Sequence, residues 1–202
     1  MQHNEPIFFQ DIKPIICYDP LSQLLGSTKD GKLTFTYSMI VQIAGHSCPT
    51  VAGAYLMCAK ALETLYKEQL PVRGEIQVDF KEDVSDGVAG VISNVISNIT
   101  GATDTSGFKG LNKKFARDSL MHFNTDICSN ARFTRTDTGQ SVELFYNPNI
   151  VEIDPKMQTL MGLVLSQQAD EHQIYEFGTL WQKRVKKILI DNYDNEELIK
   201  VV

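Results

Sequence analysis

The sequence has no long apolar run. Nothing in it approaches the ~18 apolar residues of a membrane-spanning helix, so no membrane partner is expected. It has no block of Lys or Arg, and its net charge is −6. That balance argues against nucleic acid as a partner. The opening residues MQHNEPIFFQ lack the basic start and apolar stretch of a secretory signal. The four cysteines, Cys17, Cys48, Cys58 and Cys128, show no paired framework spacing. Free or metal-bound thiols in a reducing cytoplasm are therefore expected. No internal repeat or low-complexity segment is visible.

What the chain does have is enough apolar material for one sizeable core: 43% of 202 residues. The segment 19–26, DPLSQLLG, predicts a short helix with Asp19 as N-cap, Pro20 in its first turn and Gly26 at its stop. Residues 33–38, LTFTYS, alternate like a strand, and 73–80 and 114–123 read the same way. A helix is expected from about Pro49 to Lys67, and another from about Val88 to Ile99. The pattern over 131–147 predicts a hairpin turning at Asp137–Gln140. Beyond it, Met157, Leu160, Met161, Val164 and Leu165 fall at helical spacing and read as core. A further helix is expected from Glu171 to Ile190.

This order gives an α+β class: a mixed or antiparallel sheet covered by helices, with a C-terminal helical hairpin. Residues 1–148 form the α+β domain. Residues 149–202 form a helical extension that packs on the core or on a second copy of the chain. A homodimer is expected on that basis. The basic cluster Lys183, Arg184, Lys186 and Lys187 reads as the solvated face of the Trp181 helix.

The chemistry concentrates in residues 45–53, GHSCPTVAG. Pro49 suits the first helical position, which makes Cys48 the N-cap. Its sulfur would face free backbone N–H groups and the positive end of the helix dipole, both of which favour a thiolate. In an extended H-x-C segment His46 and Cys48 point to one side. Imidazole with thiolate suits zinc or another first-row transition metal. Gly45 permits a sharp turn, and Ala52, Gly53 and Ala54 permit close approach of another element. Without a metal, Cys48 would be a nucleophile and His46 its base or ion-pair partner. The bland alternative is a structural helix start. Two ligands do not close a tetrahedral site, and spacing does not rank Cys17, His122, Cys128, Asp79, Glu75 and Asp104 as the remainder. Cys58 reads as a small core residue, and His3 and His172 as surface histidines. The loop TGATDTSGFKG (100–110) lacks the lysine–hydroxyl ending of a phosphate loop. It reads as a turn, or as an anion cradle assisted by Lys109.

The stretch GHSCPTVAGAYL resembles the histidine–cysteine–proline motif of the formylmethanofuran dehydrogenase E-subunit family. ITGATDTSGFKG is similar to that family's second landmark, a TGCT-type turn followed by glycine and lysine. The resemblance covers roughly residues 35–147. It implies an α+β domain, often dimeric, with a metal site, usually zinc, built around His46 and Cys48. It also implies a place in one-carbon metabolism as part of a larger enzyme, or a stand-alone member of undefined reaction. The chain departs from the pattern at Ala44, Ala102, Val91, Asn94 and Thr50, where the family places histidine, cysteine, cysteine, aspartate and glycine. Only part of the ligand set is kept. The reading is a soluble metal-binding protein. Its alternatives are a metal-handling accessory component of a redox or one-carbon system and a structural interaction domain presenting the Trp181 helix.

Overall fold

The computed structural model describes residues 5–112 and 114–202; His3 lies outside them. The fold is α+β. Its centre is helix α3, Pro49–Tyr66, in which 13 of 18 residues are buried, so it is surrounded on all sides. Small residues make this feasible: Ala52, Gly53, Ala54, Ala59 and Ala61 let neighbours approach. Cys58 is fully buried in the middle of it.

A five-stranded sheet packs against this helix. The strands are β3 Ile76–Phe80, β4 Met121–His122, β5 Ala131–Arg135, β6 Ser141–Tyr146 and β7 Ile199–Val201, in the order β4-β3-β5-β6-β7. Only the β3–β4 pair is parallel. Alternation sets its faces: Ile76, Val78, Phe80, Phe133 and Leu144 are buried in the core, while Gln77, Asp79 and Arg132 lie on the opposite face. The predicted hairpin is β5–β6, with Gly139 at φ 74° in its turn. Strands β1, Ile15–Tyr18, and β2, Lys32–Phe35, form a separate antiparallel pair.

Helix α1, Pro20–Leu24, is capped as its sequence predicts: Asp19 Oδ1 accepts from the N–H groups of Leu21 and Ser22. The same carboxylate holds the structure together at longer range. It accepts from Arg73 at 2.9 Å and from Arg117 at 2.8 Å. Arg117 is itself buried, its guanidinium seated against Gly74 and Gly101, where a Cβ would collide with it.

Three expectations need correction. The strand predicted over 33–38 stops at Phe35. Thr36 Oγ1 then accepts from the Met39 N–H and caps helix α2, Tyr37–Ala44, which buries Tyr37 and Ile40 one helical turn apart. The strand predicted over 114–123 exists only at Met121–His122. Left-handed backbone at Phe115 (φ 62°) and Ser119 (φ 57°) breaks extension there, and Arg117 turns inward to Asp19. The apolar stripe after Pro155 is core only at Met157 and Leu160, because helix α5, Lys156–Leu165, packs on helix α6, Glu171–Lys186, and its far end leaves the core. Leu165 is 76% exposed. After α6 a π-helical turn, Lys187–Asp191, buries Ile188 and Leu189, and β7 returns the chain to the sheet.

Candidate functional site: the link between two helix ends

Residues 45–48 join the C-terminus of α2 to the N-terminus of α3. Gly45, at φ 77°, ends α2, and its N–H donates to Val41 O. The left-handed conformation is what a glycine supplies at this position. His46 follows, exposed, with Nδ1 3.1 Å from the carbonyl oxygen of Ala44. A carbonyl only accepts, so in the neutral ring Nδ1 carries the hydrogen and Nε2 keeps its lone pair. The Ala44 carbonyl at the end of α2 thus selects which ring nitrogen keeps its lone pair.

Cys48 is the N-cap of α3, as the Cys-Pro order predicts. Its backbone is extended, and its Sγ accepts from the Val51 N–H at 3.4 Å. The thiol is half-buried and packs against the core. Tyr37 and Tyr146 lie close to it. Burial pushes both phenols up, and negative charge on Cys48 would push them further.

Ser47, between the two, is held by three side chains. Trp181 Nε1 donates to its carbonyl at 2.9 Å, and Gln182 Nε2 donates to the same oxygen at 3.2 Å. The Ser47 hydroxyl donates to Gln182 Oε1 at 3.0 Å, which leaves Tyr37 as the donor in the 3.0 Å contact between the two hydroxyls. Tyr146 completes the frame by donating to Pro49 O at 2.6 Å. Its ring lies against Gly53, where a Cβ would come within 2.2 Å of it. Tyr37, Tyr146, Trp181 and Gln182 were not legible as partners of this link. The one advance signal was the small-residue start of α3.

His46 also lines a groove of 400 Å³ between α2 and helix α4, Ala89–Thr100. Ile40, Ile43, Val91 and Val95 give it an apolar wall, and Asn94, Ser97 and Asn98 give it neutral polar groups. Cys48 is not part of that lining.

The other expected ligands are spread through the fold. Cys17 is buried on β1, and burial pushes its thiol up to about 12. Cys128 is exposed in the loop before β5. Glu75 precedes β3, and its carbonyl accepts from Thr136. Asp104 accepts from the N–H and hydroxyl of Ser106 within its own turn. Only Asp79 and His122 meet, as cross-strand neighbours at 2.9 Å, with Arg132 Nε and Nη2 also donating to Asp79. Among the described residues, no group of three or more His, Cys, Asp or Glu side chains could hold a metal ion. In the 100–110 loop, Lys109 donates to Asp118 and to Thr105 O, so its charge is already paired. His172 is exposed on α6. No helix among the described residues is long and apolar enough to cross a membrane.

The donor types of His46 and Cys48 suit zinc and its neighbours, but resident zinc sites use three or four donors, and His46 lines the α2–α4 groove while Cys48 does not. Compared with known proteins, the sequence matches no family model and no curated protein.

Proposed function

We propose that the link His46–Cys48 is an open, two-donor site for a first-row transition metal such as zinc, and that the chain handles metal without enclosing it. The observation that carries this reading is the orientation of His46: its Nδ1 is tied to Ala44 O, which leaves an exposed Nε2 available. A backbone carbonyl on the far ring nitrogen is one of the ways in which metal-ligating imidazoles are held, beside carboxylate and water. Cys48, two residues on, adds a soft donor at a helix N-terminus, where its Sγ accepts from the Val51 N–H. The resemblance of GHSCPTVAGAYL to the motif of the formylmethanofuran dehydrogenase E-subunit family supports the same two residues. With two protein donors, the remaining coordination positions belong to water or to a ligand from outside, which suits exchange of metal with a partner.

The test is metal content after dialysis against micromolar zinc, by plasma mass spectrometry on untagged protein. Wild type is expected to hold near one equivalent, and His46→Ala and Cys48→Ala are expected to lose it while Cys128→Ala keeps it. Equal zinc in wild type and both variants would refute the reading, as would none in wild type.

A further inference from the structure

We infer that the cavity between β1 and the C-terminal half of α3 binds a small organic carboxylate, one with a compact apolar body such as a single ring. The inference does not depend on metal. Helix α3 has 18 residues, so this end lies roughly 27 Å along its axis from Cys48. The cavity has a volume of 190 Å³ and opens to the surface. Its floor is apolar, made by Ile15, Ala59, Leu62 and Pro71, and the first three are buried. An apolar cavity of about 150 Å³ takes benzene, so this one has room for a ring and a carboxylate.

The charges at its mouth select the occupant. Lys13, Glu63 and Lys67 stand there. Glu63 is already paired: it accepts from Lys13 Nζ at 2.7 Å and from the Tyr193 hydroxyl at 2.6 Å. Lys60, beside it, is paired with Asp194 at 2.6 Å and lies 3.8 Å from the centre of the Tyr193 ring. Lys67 differs. Among the described residues its ammonium group has no hydrogen-bond or ion-pair partner. The mouth therefore carries one uncompensated positive charge above an apolar floor, which complements a carboxylate joined to an apolar body. Bare carbonyls at the C-terminus of α3 would oppose an anion. The last two are covered: Leu65 O accepts from Arg135, and Tyr66 O from the Gln69 N–H.

The backbone at Lys67 gives a second, independent reason. Its φ is 53° and its ψ −110°, with the Tyr66 carbonyl and Gln69 N–H joined at 2.8 Å around it. Those angles belong to the first central position of a type II′ turn, where glycine is the usual residue because a Cβ is strained there. Lysine stands at this position at a cost to stability that no bond of its ammonium group within the described residues offsets. A ligand carboxylate supplies the missing partner.

The experiment is a titration of the full, nitrogen-15-labelled chain with benzoate in EDTA, followed by the backbone amide resonances, with the neutral analogue benzamide alongside. Wild type is expected to bind benzoate with a Kd of about 1 mM or tighter, within the reach of so small a ligand. The shifts should centre on Ile15, Ala59, Leu62 and Lys67, and benzamide should bind at least tenfold more weakly. Ala59→Leu, which fills the floor, is expected to weaken benzoate at least tenfold. Lys67→Gly is expected to do the same while melting at or above the wild-type temperature, since glycine relaxes the turn. Benzoate that moves no amide of the cavity overturns the inference. So does benzamide that binds as tightly as benzoate, or a Lys67→Gly variant that binds benzoate as the wild type does. Because EDTA is present throughout, failure here is distinct from failure of metal binding.

Discussion

Trp181 Nε1 donates to the carbonyl of Ser47 across 134 residues of sequence, at 2.9 Å. The bond ties α6 to the link between α2 and α3. It turns the chain's one tryptophan inward, toward the candidate site. The C-terminal hairpin therefore braces the segment that carries His46 and Cys48.

Trp181→Phe keeps much of the ring packing and removes the donor. A partly buried carbonyl losing its partner costs about 1–3 kcal/mol, moderated here because Gln182 still donates to it. Urea unfolding should show a lower midpoint with an unchanged slope. Trp181→Phe with Gln182→Ala should cost more than either change alone.

Gly53→Ala probes the other side of the link. The new methyl would meet the Tyr146 ring at 2.2 Å, and that ring is pinned by its bond to Pro49 O. Overpacking of this kind costs about 1–3 kcal/mol. Thermal unfolding should register the loss, and a Tyr146→Ala background should shrink it. An unchanged Tm in Gly53→Ala would show that the ring moves aside freely.

Two buried carboxylates give the protein an acid limit. Burial pushes Asp79 up, but the His122, Arg132 and Gln77 donors outweigh it and hold its carboxyl below the ordinary value. Burial acts on Asp19 in the same way, and it too is held down, chiefly by Arg73, the Ser22 N–H and Arg117. A depressed folded-state pKa means stability that is present above the unfolded value, near 3.9, and is lost as pH falls through the folded value. Stability should therefore fall steeply below about pH 4. Asp19→Asn should lower it at neutral pH by about 3–5 kcal/mol, since Arg117 is then buried without its counter-charge. A flat denaturation midpoint from pH 6 to pH 3 would contradict this.

The cysteines divide by environment. Cys17 and Cys58 are buried, and burial raises both thiols, Cys17 to about 12. Cys128 is exposed and Cys48 half-buried. Native protein should react with a thiol reagent at Cys128 and Cys48, and at Cys17 and Cys58 only on unfolding. Mass mapping of the labelled peptides checks this. Early labelling of Cys58 would mean that the centre of α3 opens readily.

The helix starts were legible because they rest on local chemistry. Asp19-Pro20 and Cys48-Pro49 each place a cap acceptor before a residue with a preset φ, and both helices begin there. The β5–β6 hairpin was legible from its alternation and turn. Helix α2 was not, because L-T-F-T-Y-S alternates up to the residue where Thr36 switches roles and caps a helix. Strands β4 and β7 have two and three residues, too few to carry a period. Arg117 shows a different limit. Nothing local predicts that a cation in a polar segment will be buried against Asp19, 98 residues away.

At the candidate site the same division holds. The N-cap position of Cys48 follows from the Cys-Pro order alone. The brace from Tyr37, Tyr146, Trp181 and Gln182 depends on separate elements meeting, and no spacing records it. The pairing of Asp79 with His122 likewise depends on a parallel register between β3 and β4.

The most direct test of the central claim is the visible and near-ultraviolet spectrum of the protein titrated with cobalt(II), wild type beside Cys48→Ser and His46→Ala. A thiolate-to-cobalt charge-transfer band that saturates near one equivalent in wild type is the predicted result. The band should vanish in Cys48→Ser and weaken or shift in His46→Ala. A wild-type spectrum that stays that of aqueous cobalt, or a band that survives Cys48→Ser, would contradict the assignment of this link as a metal site.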